Sequence, residues 1–270
     1  MKTENVESYL KFHEQFGKIL KEGIHFDFSR REAIADLLYF QSTKTEEGKF
    51  RTFADYVADM KEDQKEIFFI TGTSIQEVAT SPYLEAFRKK GYEVLFLLDE
   101  IDDFLFSGFE YKGKRFKSIL KGEIELDSTQ TEDKEKATRE YRKLIDLIKE
   151  TLKDEVKDVR LSGRLTDSPC CLVSEEGAMD SQMEKLLKSM GQSVPQEKRV
   201  LEINAGHPLF ATMNRVFEED KDSPILRDYT LLLYDQALIL EGSKPKDPTA
   251  FVQRLAKLMV EGTEAAKAGQ

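Results

Sequence analysis

Cysteine is scarce. Of 270 residues only Cys170 and Cys171 carry a thiol, and they are neighbours. Two cysteines cannot frame a disulfide-stapled fold, and adjacent residues on a strand point to opposite faces. A reducing compartment, the cytoplasm, is the expected location. No stretch approaches the roughly 18 consecutive apolar residues that a membrane helix needs, so no membrane partner is expected. Met1-Lys2-Thr3-Glu4-Asn5 opens without an apolar signal core. Positive charge is in deficit, with 41 Lys and Arg against 51 Asp and Glu, a net charge of -10, and no sustained basic block. Phosphate backbones repel such a chain, which argues against nucleic acid as a partner. The three histidines, His13, His25 and His207, lie far apart with no His or Cys at ligand spacing. No metal site is expected from them.

What is present is a folded composition: 40% hydrophobic, 34% charged and 10% aromatic. The length suggests about two domains. From Val6 to Leu20, Tyr9, Leu10, Phe12, Phe16 and Ile19 recur at helical spacing, with Gly23 as a stop. Ser29 opens a second predicted helix running to Phe40. Thr52 to Met60 forms a short one with Phe53, Tyr56, Val57 and Met60 on one side. Then the period changes. Glu66 to Gly72 and Tyr92 to Asp99 read as buried strands, joined by a helix from Ser74 to Lys90. Ile101 to Phe106 is a short helix, and Phe109 to Leu120 is extended with Gly113 at a turn. Strand, helix, strand specifies a right-handed βαβ unit with a small, largely parallel sheet. The polar run Asp127 to Lys136 marks a domain boundary.

Beyond it a long helix carries Ala137, Tyr141, Leu144, Ile145, Ile148 and Leu152 on one stripe. Val156 to Leu165 and Cys170 to Ser174 read as strands paired with each other around Thr166-Asp167-Ser168-Pro169. An amphipathic helix from Glu175 to Met190, a strand from Arg199 to Asn204 and a helix from Pro208 to Phe217 follow. Pro224 to Leu240 and a last helix opened by Asp247-Pro248 end the pattern, leaving Glu261 to Gln270 frayed. The fold class is therefore α/β followed by α+β. Residues 1–126 hold a helical segment, 1–62, and a helix-sheet-helix unit, 63–126. Residues 127–270 hold a small mixed sheet and a helical bundle.

Catalytic motifs are few. Gly108-Phe-Glu-Tyr-Lys-Gly113-Lys114-Arg115 imitates the spacing of a phosphate-binding loop. It lacks the hydroxyl residue after the lysine, and an extended segment follows where a helix is needed, so chance glycines in a strand turn account for it better. Asp102-Asp103, after Asp99 and Glu100, imitates a magnesium site, but carboxylates at a helix start are more often solvated there. No catalytic residue is assigned. The helix from Glu175 carries Met179, Met183, Leu186, Leu187 and Met190 as an apolar stripe. Such stripes usually face a core, yet methionine also suits surfaces that accept many partner shapes. Pro224 to Leu240 is apolar around its circumference and needs partners on several sides, which points to a subunit interface.

Three stretches together resemble the heat-shock protein 90 chaperone family, nearest its bacterial high-temperature protein G branch. They are Arg164-Leu-Thr-Asp-Ser-Pro-Cys-Cys-Leu-Val173, then Leu201-Glu-Ile-Asn204 with His207-Pro208-Leu209, and Phe12-His-Glu-Gln-Phe-Gly-Lys18 followed by Lys21-Glu-Gly-Ile24. Order and spacing agree from Val6 to Met259. Ala205-Gly206 depart from the family's usual proline and charged residue, Phe104 replaces a family tryptophan, and the acidic Glu-Glu-Val-Asp terminus that docks tetratricopeptide co-chaperones is absent. The resemblance implies a fragment of an ATP-driven chaperone: the later middle domain to Leu126, then the C-terminal dimerisation domain. ATP and magnesium would belong to the full-length parent, whose nucleotide domain and catalytic arginine loop would lie before residue 1; no cofactor is expected here. Implied client contacts are Phe104, Met179, Met183, Leu186 and Leu187, on non-native client proteins. A homodimer is implied through the last two long helices, with Tyr229, Leu232, Leu233, Phe251, Leu255 and Leu258 at its interface. The alternatives are a pure dimerisation scaffold and a small α/β enzyme using the Gly72 turn or the Gly108 loop for phosphate.

Overall fold

The computed structural model describes residues 5–126, 128–179, 184, 187, 191, 192 and 197–268, with side chains at all but 128–135 and 264–268. It is a mixed α/β protein whose chain divides into two compact units, Met1–Gly122 with Glu176–Gln196, and Glu123–Glu175 with Glu197–Gln270.

The first unit opens with α1, Val6–Phe26, whose N-terminus is capped by the Asn5 side chain accepting from the Ser8 N–H at 3.0 Å. Its inward face is Tyr9, Gly17, Lys21 and Ile24, while Phe12, Phe16 and Ile19 stay exposed. Of the apolar stripe expected from the sequence, Tyr9 is buried and Leu10 half-buried, while the rest faces outward. The helix expected from Ser29 to Phe40 shrinks to α2, Arg31–Ala35. Tertiary hydrogen bonds take its place: the Tyr39 N–H donates to His13 Nε2 at 3.1 Å, and Tyr9 donates to the Leu37 carbonyl at 2.8 Å. Phe40 then bridges Arg51. Helix α3, Phe53–Ala58, starts with a reciprocal capping box between Thr52 and Asp55.

Five strands form the sheet in the order β1-β3-β2-β5-β4. The central β2, Glu66–Thr71, runs parallel to β3, Leu95–Leu97, and to β5, Lys114–Ser118. The edges are antiparallel: β1, Gln41–Ser42, on β3, and β4, Glu110–Tyr111, on β5. The crossover from β2 to β3 is not one helix. Pro82 cannot continue the ladder and forces Ser81 into extended geometry, so α4, Ile75–Ala79, stops before a 3-10 turn and α5, Glu85–Lys90. Helix α6, Asp102–Phe106, leads from β3 toward the β4–β5 hairpin. Under the sheet, Phe53 stacks on Phe40 and meets Phe106 and Phe116 edge-on. The Tyr56 hydroxyl donates to the Glu93 carbonyl and accepts from Gln64 and the Phe68 N–H, all within 2.9 Å. A buried hydroxyl so placed ties α3 to β2 and to the segment before β3 with its polar valences used.

In the second unit α7, Ser128–Thr151, buries Leu144 and Ile148. Strands β6, Asp158–Leu161, and β7, Cys170–Val173, do not pair with each other as expected. Strand β8, Val200–Ile203, lies between them, parallel to β6 and antiparallel to β7. Local hairpin logic fails because β8 pairs with an edge of each strand, parallel to one and antiparallel to the other, a long-range pairing that no local turn signal announces. Helices α8, Pro208–Glu219, α9, Pro224–Leu240, and α10, Pro248–Ala268, complete the unit. The tail expected to fray stays helical to Ala268. Both cysteines are buried thiols outside any disulfide, and burial pushes the Cys170 thiol up to about 12.

The polar centre of this unit is Glu202 on β8. Its carboxylate accepts from Arg164 Nε and from the Ser162 hydroxyl, each at 2.8 Å, and from Arg160 at 2.9 Å. Burial would raise the Glu202 carboxyl, but the charges of Arg164 and Arg160 and the Ser162 hydroxyl outweigh it and hold it below the usual carboxylate range. Glu202→Gln leaves a buried guanidinium without its counter-charge and should cost about 3–5 kcal/mol in urea unfolding. Because the folded carboxyl titrates below its unfolded value, its contribution is complete above the ordinary carboxylate range and is lost as pH falls through the folded value. Stability of the parent chain should therefore fall more steeply with acid than that of Glu202→Gln.

Candidate functional site

Helix α6 is only five residues long, and four of them are buried. Leu105 and Phe106 enter the core beneath the sheet. Asp102 and Asp103 are not the solvated helix start expected from their charge; both are buried in ion pairs. Lys21 Nζ lies 2.6 Å from Asp99 and 2.7 Å from Asp102, and Lys121 Nζ lies 2.5 Å from Asp103. Asp102 also accepts from the Asp99 N–H at 2.9 Å. Burial pushes the Asp102 carboxyl up in spite of Lys21, whereas at the less buried Asp99 the opposing pull of Lys21 and Lys18 prevails and lowers it. Lys21 occupies the place a divalent cation would need, and no group of three metal-capable side chains occurs among the described residues.

With its neighbours so fixed, Phe104 is turned outward, 65% exposed. Two adjacent charge clamps, one to α1 and one to the segment after β5, set the direction of a single aromatic ring. The other expected contacts are spread along one segment. Met179 is half-buried, Leu187 is half-buried and helical, and Met183 and Leu186 lie outside the described residues.

The residues expected at a subunit interface divide into two groups. On α9, Leu233 lies wholly inside the core of its own unit, Leu232 is buried, and Tyr229 packs partly against that core. Leu233 thus has no surface left for a partner. On α10, Phe251 and Leu258 are half-buried and Leu255 is exposed. Sequence reasoning missed Val252, 60% exposed, and Met259, 67% exposed, which join Leu255 on the outer side of α10. Their spacing, three and four residues apart, is a helical-face signal available in the sequence. Helix α10 is held to α9 by Arg254 with Asp235 at 3.4 Å and Lys257 with Asp228 at 2.9 Å.

Neither candidate phosphate loop fits a nucleotide. Lys112 and Gly113, at φ 49° and 72°, are the two central residues of the β4–β5 hairpin turn. No helix N-terminus follows to direct N–H groups at phosphate. At Gly72 a Cβ would collide with the Val78 side chain, so this glycine serves close packing of α4.

The family model for the Hsp90 protein matches residues 1–270. The chain belongs to the Hsp90 family. It is 47% identical, over 98% of its length, to the chaperone protein HtpG of Geobacter sulfurreducens, covering 42% of that protein. The same identity and coverage hold for the HtpG of Geobacter metallireducens. Against that of Alkalilimnicola ehrlichii it is 42% identical over 100% of this chain and 41% of the relative. The chain thus spans about two fifths of the length of these Hsp90 relatives. No helix among the described residues is long and apolar enough to cross a membrane.

The clamps on α6 make a measurable prediction. The chain has no tryptophan, so Phe104→Trp introduces one reporter, whose fluorescence should match that of indole in water. In that background Lys21→Met leaves the buried Asp102 without a counter-charge and should cost about 3–5 kcal/mol. Asp102→Asn, which removes a costly buried charge, should cost less than half as much.

Proposed function

We propose that this chain is the client-handling and self-associating part of an ATP-driven chaperone. The observation that carries the reading is Phe104: an aromatic ring kept in water by two buried ion pairs on its own short helix. A large apolar side chain held outward offers contact area to exposed hydrophobic segments of other proteins. The methionine and leucine side chains at 179, 183, 186 and 187 are read as further, adaptable client contacts, and non-native proteins are the partners. The outer side of α10, with Val252, Leu255 and Met259, serves a homodimer together with the end of α9. Two buried cysteines outside any disulfide suit the reducing cytoplasm. In this reading ATP and magnesium belong to the full-length protein, and this chain by itself takes neither.

Leu255→Asp should convert a dimer to a monomer in sedimentation equilibrium at micromolar concentration, with the far-ultraviolet circular dichroism of the folded chain retained. Leu233→Ala should instead lower stability by about 2–5 kcal/mol, as core truncations do. A dimeric Leu255→Asp places the interface elsewhere.

Reduced, carboxymethylated lactalbumin should bind the parent chain, and Phe104→Ser should weaken that binding with no change in melting temperature. Absence of binding leaves a dimerisation scaffold. Calorimetry with ATP and magnesium should show no heat of binding; a micromolar dissociation constant at a stoichiometry near one overturns the nucleotide part of the reading.

A further inference from the structure

We propose that the surface around Phe104 extends over the end of α1 and selects polypeptide segments in which an aromatic or long aliphatic side chain is followed closely by a carboxylate. This rests on the client-binding reading and adds a chemical preference to it.

The surface is built by one turn. Asp27 caps α1, its N–H donating to the Gly23 carbonyl, and its carboxylate accepts from the Ser29 hydroxyl at 2.7 Å and Arg30 Nε at 2.6 Å. The residues on either side of this anchor, Phe26 and Phe28, are turned outward, 81% and 72% exposed. The His25 ring bridges toward α6, its centroid 5.2 Å from that of Phe26 and 5.4 Å from that of Phe104. Three outward phenylalanines at one end of α1 and on α6 exceed the scattered apolar exposure of an ordinary surface, and such patches mark binding sites.

The charge preference comes from Arg31. Its guanidinium carbon lies 4.0 Å from the Phe28 ring centroid and 5.6 Å from that of Phe109. Among the described residues it has no carboxylate partner; Arg30, its neighbour, is taken by Asp27. A guanidinium over a ring keeps edge N–H donors available, and these match a carboxylate in two-point geometry. An aromatic surface with one unpaired cation therefore fits an apolar side chain with a nearby acid. The net charge of -10 repels a polyacidic segment at long range. What is favoured is one carboxylate in register, and salt should erode the preference.

The test uses the whole chain and two fluorescein-labelled peptides, identical except for aspartate or asparagine two residues after a phenylalanine, with carboxymethylated lactalbumin as the general client. Anisotropy at low salt should show the aspartate peptide binding about three- to fivefold more tightly, the range of an exposed ion pair. Arg31→Gln should abolish the difference, and Phe26→Ser with Phe28→Ser should weaken both peptides severalfold. If lactalbumin is bound but the two peptides bind alike, or the preference survives Arg31→Gln, this proposal fails and the client reading stands. If neither lactalbumin nor peptide is bound, both fail. If the paired serine substitutions alter sedimentation, the patch is a contact between copies of this chain and the proposal is overturned.

Discussion

Taking a lysine or a carboxylate out of water costs several kcal/mol per ion, so Lys21 can lie on the inward face of α1 only where Asp99 and Asp102 meet it. That demand fixes more than one pair. It sets which face of α1 turns inward, and so leaves Phe12, Phe16 and Ile19 outside. It brings the loop after β3 up to α1, and with Lys121 and Asp103 it pins a helix too short to hold its own orientation. Neighbours of Phe104 cannot rotate away without stranding a charge, so the ring stays in water. In the second unit Glu202 plays the corresponding part, gathering Arg160, Ser162 and Arg164 around one strand.

Much of the fold was legible because it follows from local rules. Strand β2 is a short apolar run buried on both faces, as a central parallel strand requires. Helix α9 begins at Pro224 and ends at Leu240, where the sequence pattern placed it. What was not legible depended on partners remote in sequence. Asp102 and Asp103 look solvated until Lys21 and Lys121, about eighty and eighteen positions away, are brought to them. The second helix is cut short by His13 and Tyr9, which lie on α1. Nothing near residues 156–174 announces that a third strand will enter between two that look like a hairpin.

The functional surface was legible in a different way. Phe104 came from resemblance to a family, and its outward position has a separate physical cause in the two clamps. Phe26 and Phe28 carried no resemblance. Their signal is the Asp27 cap between them, a local feature that a reading by periodicity passes over. The apolar outer side of α10 was half seen: Leu255 stood among the expected interface residues, whereas Val252 and Met259 did not.

The position of β8 also constrains how the second unit comes into being. Strand β7 is apolar at all four residues and β6 at every second one, and neither has a neighbour until Val200–Ile203 has been made. During synthesis some forty residues must therefore leave the ribosome after β6 before its sheet can close, and parallel pairing over such a separation is slow. For that interval the nascent chain displays Cys-Cys-Leu-Val as an unprotected strand edge, the kind of segment on which non-native chains aggregate. Shielding that edge until β8 arrives is a requirement of the topology itself.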